Sequence, residues 1–469
     1  MTTPKPSSAA AKPQPEQSEA RKLTAEDIEY LALEGGGGKG FAYLGAIDIL
    51  EKIKGKDGRS VMDRVKGFAG ASAGAITAFL LSIGYDFKSL SAFLKDTDFD
   101  SFYDPPKPRI RPQVGTSGEE VTEDSPAEQA FISGDYLKML NQMTENSTAD
   151  NIRSLVAFDA RAYALVAQQL SQALRNLQSI EGKLPAAAKV ILDKKNFYYY
   201  LAYLPNDMGL FSGQAARILF ESLLRQAVAK KKGGLPSSYS NINFQQHWEI
   251  FHKELLFTGT NLRSGKTQLF SRNDTPRFPV ADAVRISMGL PWVFKPYVLR
   301  RRDDKKDPPC GVYVDGGVWN NLPFRELDSN PPSEKQPATA AQKSSKTPGK
   351  PTPRTLGLRL EIDAAPKIES VFDLTAQMLS HGLVGSGESQ VMDKYVNQCI
   401  VLDTRGLDLL SFSPPQDPAV NLRILNRSRR AVCRYFDLDI DVIQPSIRDD
   451  KDDLDSEQAM SAAETCDSN

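Results

Sequence analysis

Between residues 28 and 84 one hydrophobic pattern occurs twice: a short apolar run, a glycine-rich turn, then apolar positions at helical spacing. The first copy carries Tyr30-Leu31-Ala32-Leu33-Glu34 into Gly35-Gly36-Gly37-Gly38-Lys39-Gly40, and Phe41, Leu44, Ile47 and Leu50 follow. The second carries Val65 to Ala69 into Gly70-Ala71-Ser72-Ala73-Gly74 and on into a helix from Ala75-Ile76. Two strand–turn–helix units in succession predict parallel strands with both turns at one edge of the sheet. In open α/β sheets that edge is where sites form.

Further along, Tyr85 to Leu94 read as continuing helix, and residues 96–126 turn polar and proline-rich. Residues 144–208 read as a helical insertion in which Val166, Leu170, Leu174 and Leu177 mark one apolar face. A helix packed on the core explains that face, and a lid that meets lipid is the sharper alternative, given Phe197-Tyr198-Tyr199-Tyr200 and Tyr203 just after it. Lys230-Lys231-Lys232 reads as a solvated loop, or as a weak attraction for anionic head groups. Strands are expected at 255–261, 267–270, 355–362 and 398–402, with helices at 281–288 and 419–435. A proline-, serine- and lysine-rich loop occupies 329–354. Residues 1–27 and 446–469 lack the apolar content to fold, so one domain of residues 28–445 lies between a leader and an acidic tail. Gly67 to Gly84 is uncharged and nearly long enough to span a bilayer, but its three early glycines fit a strand, a turn and a buried helix better.

The turns carry the candidate chemistry. In G-x-S-x-G the serine sits at a sharp bend, and the following helix points its free N–H groups at whatever Ser72 attacks. The Gly36-Gly37-Gly38 loop offers side-chain-free N–H groups for a developing negative charge. Far along the chain, Val312-Tyr313-Val314 delivers Asp315 into Gly316-Gly317, so this carboxylate would project at a strand end beside the serine. Lys39 reads as structural or as orienting the loop, and Asn320 and Asn321 as steadying the turn after Asp315 by local hydrogen bonds.

Composition adds few constraints. With 58 Lys and Arg against 59 Asp and Glu, the chain has no charge-based call on nucleic acid. Its four cysteines show no C-x-x-C spacing, which indicates a reducing compartment with neither disulfide frame nor zinc site. No H-E-x-x-H or calcium loop is present, so neither metal nor cofactor is expected. The amino-terminal stretch has no apolar signal region, which points to a cytoplasmic or peripheral-membrane protein, with signal-independent export left open.

Three motifs in one order, G-G-G-x-K-G at Gly35 to Gly40, G-x-S-x-G at Gly70 to Gly74 and D-G-G at Asp315 to Gly317, resemble the patatin-like phospholipases. The resemblance covers residues 28–330 and extends more weakly to about 437. Secondary stretches at 209–213, 258–262 and 283–288 resemble the family too; Glu34 departs from its more usual Asp or Ser, with little consequence expected. The resemblance implies a three-layer α/β/α fold with a mostly parallel sheet and an inserted helical cap. It implies Ser72 as nucleophile, Asp315 as proton acceptor and Gly36, Gly37 and Gly38 as oxyanion hole. The expected reaction is hydrolysis of phospholipids or other acyl-ester lipids during transient contact with a membrane surface.

Three other readings bear on the same residues. Ser72, Asp315 and His381 stand in the chain order of an α/β-hydrolase triad, although His381 lies in a polar helical stretch with no strand end to place it. Gly35-x-Gly37-x-x-Gly40 formally fits a dinucleotide fingerprint, but the second strand ends in Gly70-Ala71-Ser72 where an acidic residue is wanted. A lipid-binding scaffold without activity could use the same fold, against which stand the intact chemistry-bearing residues.

Overall fold

The structure is a computed structural model. It describes residues 21–104, 110–111, 121–122, 208–234, 241–300, 302, 304–329, 354–361, 395–407, 413–415 and 417–439. Residues 144–207 of the insertion expected at 144–208, nearly all of the 329–354 loop, His381 and the acidic tail lie outside the described residues.

In chain order the elements begin with β1 (Tyr30–Leu33), α1 (Tyr43–Leu50), α2 (Val61–Arg64), β2 (Gly67–Gly70), α3 (Ala73–Ser82) and α4 (Phe87–Asp96). A two-residue pair, β3 (Ile110–Arg111) and β4 (Val121–Thr122), precedes β5 (Gly209–Phe211), α5 (Gln214–Lys232) and α6 (Phe244–Phe251). Then come β6 (Glu254–Asn261), β7 (Lys266–Ser271), α7 (Val280–Ser287), β8 (Trp292–Phe294), β9 (Tyr297–Leu299) and β10 (Gly311–Asp315). After these follow α8 (Glu326–Ser329), β11 (Thr355–Leu360), β12 (Cys399–Leu402) and α9 (Pro418–Tyr435).

The central sheet has the order β12-β11-β1-β2-β6-β10-β9, with β7 also paired to β6. Strands β12, β11, β1, β2 and β6 are parallel, and the antiparallel pairings gather around β6. This is the mostly parallel α/β sheet expected from the sequence. β1 and β2 are buried along their whole length, as strands covered on both faces must be. Alternate residues of β1 and β2 feed different clusters: Leu31, Leu33 and Phe68 join the large core under the helices. Tyr30, Ala32 and Ala69 join a smaller one with Leu322, Phe324 and Leu327.

The register at β6 positions the site. β2 runs parallel to β6 and ends with Gly70 opposite Phe257. β10 runs antiparallel and ends with Asp315 opposite Gly259. Both share the edge of β6 that β7, paired to residues 256–261, leaves open. Two strands therefore approach head-on along one edge, and their carboxyl ends stop on either side of Thr258.

Several expectations need correction. Residues 21–27, assigned to the leader, are packed: Leu23 is buried, its N–H donates to the Tyr435 hydroxyl at 3.0 Å, and Lys22 pairs with Asp437 at 2.7 Å. Leu23 and Ile28 both belong to the large apolar core. The helix after Ser72 does not run through to Leu94. Gly84, at φ 99°, ends it, and a reciprocal cap between Asp86 and Ser89 starts α4. Lys230 to Lys232 form the last turn of α5 rather than a loop, where cations complement the helix dipole. Gly67 to Gly84 is a strand, a bend and a helix, and no helix among the described residues is long and apolar enough to cross a membrane.

Candidate active site

The bend between β2 and α3 is built by what its neighbours leave out. A Cβ on Gly70 would run into the backbone of Gly74, and one on Gly74 into the carbonyl of Leu33. With both positions bare, the chain turns sharply enough to put Ser72 at φ 50°, ψ −122°, a conformation a side-chain-bearing residue rarely adopts. Ser72 is nearly buried, and its N–H donates to Ser287 Oγ at 3.1 Å. Ala73 opens α3, so its N–H belongs to the unpaired first turn.

The first glycine loop lies against this bend. Gly35 to Gly40 forms a turn that continues into a short 3-10 segment, Gly37 to Ala42, with Gly37 at φ 54°. Within it Lys39 N–H closes on Gly36 O at 3.1 Å, and the N–H groups of Gly36, Gly37 and Gly38 donate to no other group among the described residues. A Cβ on Gly35 would come to 3.0 Å from Ser72 Cβ, so the loop and the Ser72 turn touch.

The loop is anchored from two sides that sequence reasoning undervalued. Glu34 is no neutral departure: its buried carboxylate accepts Leu360 N–H at 2.7 Å, and its carbonyl accepts the Tyr43 hydroxyl. Burial raises the Glu34 pKa, opposed by that N–H, by the charge of Arg359, by the Asn321 side chain and by the charge of buried Lys39. Asn321 does not make a local turn bond. Its Nδ2 donates to Gly35 O at 3.0 Å and its own carbonyl accepts Gly35 N–H at 3.0 Å, tying the loop after Asp315 to the glycine loop. Asn320 instead donates to Glu326 at 2.7 Å.

Asp315 is fully buried. Its N–H donates to Gly289 O at 2.9 Å, and its Oδ1 accepts Gly317 N–H at 2.8 Å. Oδ2 has no partner at full hydrogen-bonding geometry among the described residues. Burial pushes the carboxyl up from 3.8 to about 7, against the lowering effect of the Gly317 N–H and the Ser72 hydroxyl. Gly316 fits because a side chain there would strike Thr258, the residue in the gap between the strand ends.

An apolar pocket lies beside the glycine loop. Gly38, Ala73, Ile76, Leu80, Leu94 and Phe99 line it, with Thr77 beside them. No group of His, Cys, Asp or Glu able to hold a metal occurs among the described residues. His247 is buried in α6, with Nε2 2.9 Å from Ser82 Oγ, and its pKa is pushed down to about 3 by burial and Lys231. His252 ends the same helix in a left-handed conformation.

Comparison with known proteins adds the following. The model of the family described as "Patatin-like phospholipase" matches residues 31–328, more than half of the chain. A probable lipid hydrolase of Invertebrate iridescent virus 6 is 28% identical over 119 residues, covering 25% of this chain and 35% of its own length. An uncharacterized protein of Acanthamoeba polyphaga mimivirus is 33% identical over 315 residues, covering 67% of this chain and 66% of its own. The chain thus spans about a third and just under two thirds of these two relatives. Among solved structures, VipD from Legionella pneumophila matches 88% of this chain and 67% of its own, at 17% identity and a TM-score of 0.41. The type III effector ExoU of Pseudomonas aeruginosa matches 88% and 53%, at 15% identity and a TM-score of 0.36.

Proposed function

The chain belongs to the patatin-like phospholipase family, and from that premise we propose that it hydrolyses carboxylic esters of lipids, phospholipids or lysophospholipids foremost, through a Ser72–Asp315 dyad. The observation that carries the proposal is the meeting of β2 and β10 across Thr258. It brings a strained serine and a buried carboxyl, one of whose oxygens has no partner at full hydrogen-bonding geometry among the described residues, to a loop whose Gly36, Gly37 and Gly38 N–H groups donate to none of those residues.

Asp315, ionised, takes the Ser72 proton as the hydroxyl oxygen attacks the ester carbonyl carbon. An ordinary aspartate is too weak a base at neutral pH; one raised to about 7 is matched to the task. The negative charge that develops on the carbonyl oxygen is held by N–H groups of Gly36 to Gly38 and of Ala73, each such donor being worth about 3 kcal/mol of barrier. Collapse of the tetrahedral species breaks the ester C–O bond, and the departing alkoxide takes the proton from Asp315. Water repeats the sequence on the acyl-serine: Asp315 accepts its proton, the acid is released, and Ser72 recovers its hydrogen. The apolar pocket beside Ala73 receives the acyl chain and favours lipid over small polar esters.

The dyad requires no histidine. Of the three in the chain, His247 is buried against Ser82, His252 caps α6, and His381, the alternative triad member, lies outside the described residues. The deciding experiment incubates the purified chain with phosphatidylcholine and lysophosphatidylcholine vesicles and measures free fatty acid, alongside Ser72→Ala, Asp315→Ala and His381→Ala. Release that depends on Ser72 and Asp315 but not on His381 is the expected result. Equal release by wild type and Ser72→Ala removes the hydrolase reading in favour of a binding protein, and an inactive His381→Ala beside an active Asp315→Ala replaces dyad with triad.

A further inference from the structure

The end of α7 holds both members of the dyad from one place. Ser287, its last residue, accepts the Ser72 N–H on Oγ at 3.1 Å, and Gly289, two residues on, accepts the Asp315 N–H on its carbonyl at 2.9 Å. Nothing in the chain order links these positions: Ser72 and Ser287 are 215 residues apart. Ser287 is fully buried. The helix that carries it is itself fixed. Arg285 donates to Ser212 O and Lys295 O at 2.6 and 2.7 Å, and Arg217 of α5 grips Asp282 through two bonds of 2.7 and 3.2 Å.

We propose that Ser287 is a positioning residue for the nucleophile: its hydroxyl holds the Ser72 backbone in the strained turn and so keeps the Ser72 side chain at Asp315. This rests on the reading of Ser72 and Asp315 as nucleophile and base. A non-glycine residue at φ 50° stays there only when its surroundings over-determine it. The glycines at 70 and 74 permit the turn; the Ser287 acceptor selects it. The bond has a second effect. It engages the Ser72 N–H, which leaves the oxyanion to Ala73 and the glycine loop. Because Ser287 and Gly289 share one short segment, a movement of α7 shifts nucleophile and base together and preserves their separation.

The test is Ser287→Ala in the full chain, assayed on phospholipid vesicles beside wild type, Ser287→Thr and Ser72→Ala. The clamp requires kcat to fall about 10–100-fold, the scale of a sub-ångström to ångström misplacement, with KM within about twofold because the acyl pocket is untouched. It also requires slower labelling of Ser72 by a fluorophosphonate probe. The acid limb of kcat should move to higher pH, since the Ser72 hydroxyl that lowers Asp315 is then withdrawn. Ser287→Thr, which keeps the oxygen, should recover most of the rate. Wild-type kcat in Ser287→Ala overturns the proposal. So does a loss of kcat that tracks a loss of folded protein by circular dichroism, or one that leaves both labelling rate and pH limb unchanged. If Ser72→Ala is as active as wild type, the hydrolase reading fails first and the clamp with it; if Ser72→Ala is inactive and Ser287→Ala is not, only the clamp fails.

Discussion

Replacing Asp315 with Asn should make the protein inactive and more stable, and the stabilisation should appear only above a defined pH. The carboxyl rises from 3.8 to about 7 on folding because burial penalises its charge. Between those values the folded protein keeps a proton that the unfolded chain has given up. Stability must therefore fall as pH rises through that window: the favourable contribution is complete below about pH 4 and gone above about pH 7. At ~1.4 kcal/mol for each pH unit between the two values, the loss is about 4 kcal/mol. Asparagine carries no charge at any pH, keeps an oxygen for the Gly317 N–H and fills the same space. The difference in unfolding free energy, Asp315→Asn minus wild type, should be near zero at pH 4 and approach about 4 kcal/mol at pH 8, several degrees in Tm for a domain of this size. Urea or thermal unfolding of both proteins across that range measures it. Wild-type kcat should rise through the same window, because the base must be ionised, so activity and stability run in opposite directions. A pH-independent difference, or an Asn variant less stable at pH 8, would refute the assignment of Asp315 as a buried, charge-penalised base.

Thr77→Trp, which fills the pocket beside Ala73, should shift preference toward short-chain nitrophenyl esters by about 10–200-fold relative to long-chain ones, the range for steric discrimination in an apolar site; an unchanged chain-length profile would place the acyl group elsewhere. Asp48→Ala strands the buried Arg429 guanidinium, which Asp48 meets at 2.7 Å between α1 and α9, and should cost about 3–5 kcal/mol in urea unfolding. Asn321→Ala leaves the Gly35 carbonyl without its side-chain donor, a cost of about 1–3 kcal/mol, and should lower kcat on vesicles without removing the fold; full activity with a normal Tm would show that the glycine loop holds its shape unaided.

The parts of this site legible in the sequence are those written in local backbone chemistry. Glycines at 70 and 74 announce a sharp turn because few other residues tolerate the backbone contacts there, and five glycines before a helical pattern announce free N–H groups. Asp315 shows itself as a carboxylate between an apolar strand and two glycines. What sequence could not supply is register. A run of alternating strands and helices suggests parallel neighbours, whereas Asp315 arrives on an antiparallel strand from the opposite direction. Only the pairing of Gly70 with Phe257 and of Asp315 with Gly259 shows that both chains stop at the same spot. The anchoring roles of Ser287 and Asn321, the latter read only as steadying its own turn, were hidden for a related reason. Each residue acts through hydrogen bonds across more than 200 positions, and neither has a local pattern that distinguishes it from a helix-end serine or a turn asparagine.

On the proposed reading, this geometry lets a dyad serve without a histidine to span the distance between serine and acid. In a sheet of purely parallel strands, the serine and the acid leave from adjacent strand ends, a strand spacing or more apart, and a third side chain has to bridge them. Here the two strands share one edge of β6 and run toward each other, so the acid approaches the serine from the opposite direction, with Thr258 between the two strand ends. The same arrangement takes Asp315 out of water, which raises its pKa into the range of a useful base. One topological choice thus supplies contact and basicity together, and its cost is the buried charge that Asp315→Asn would relieve.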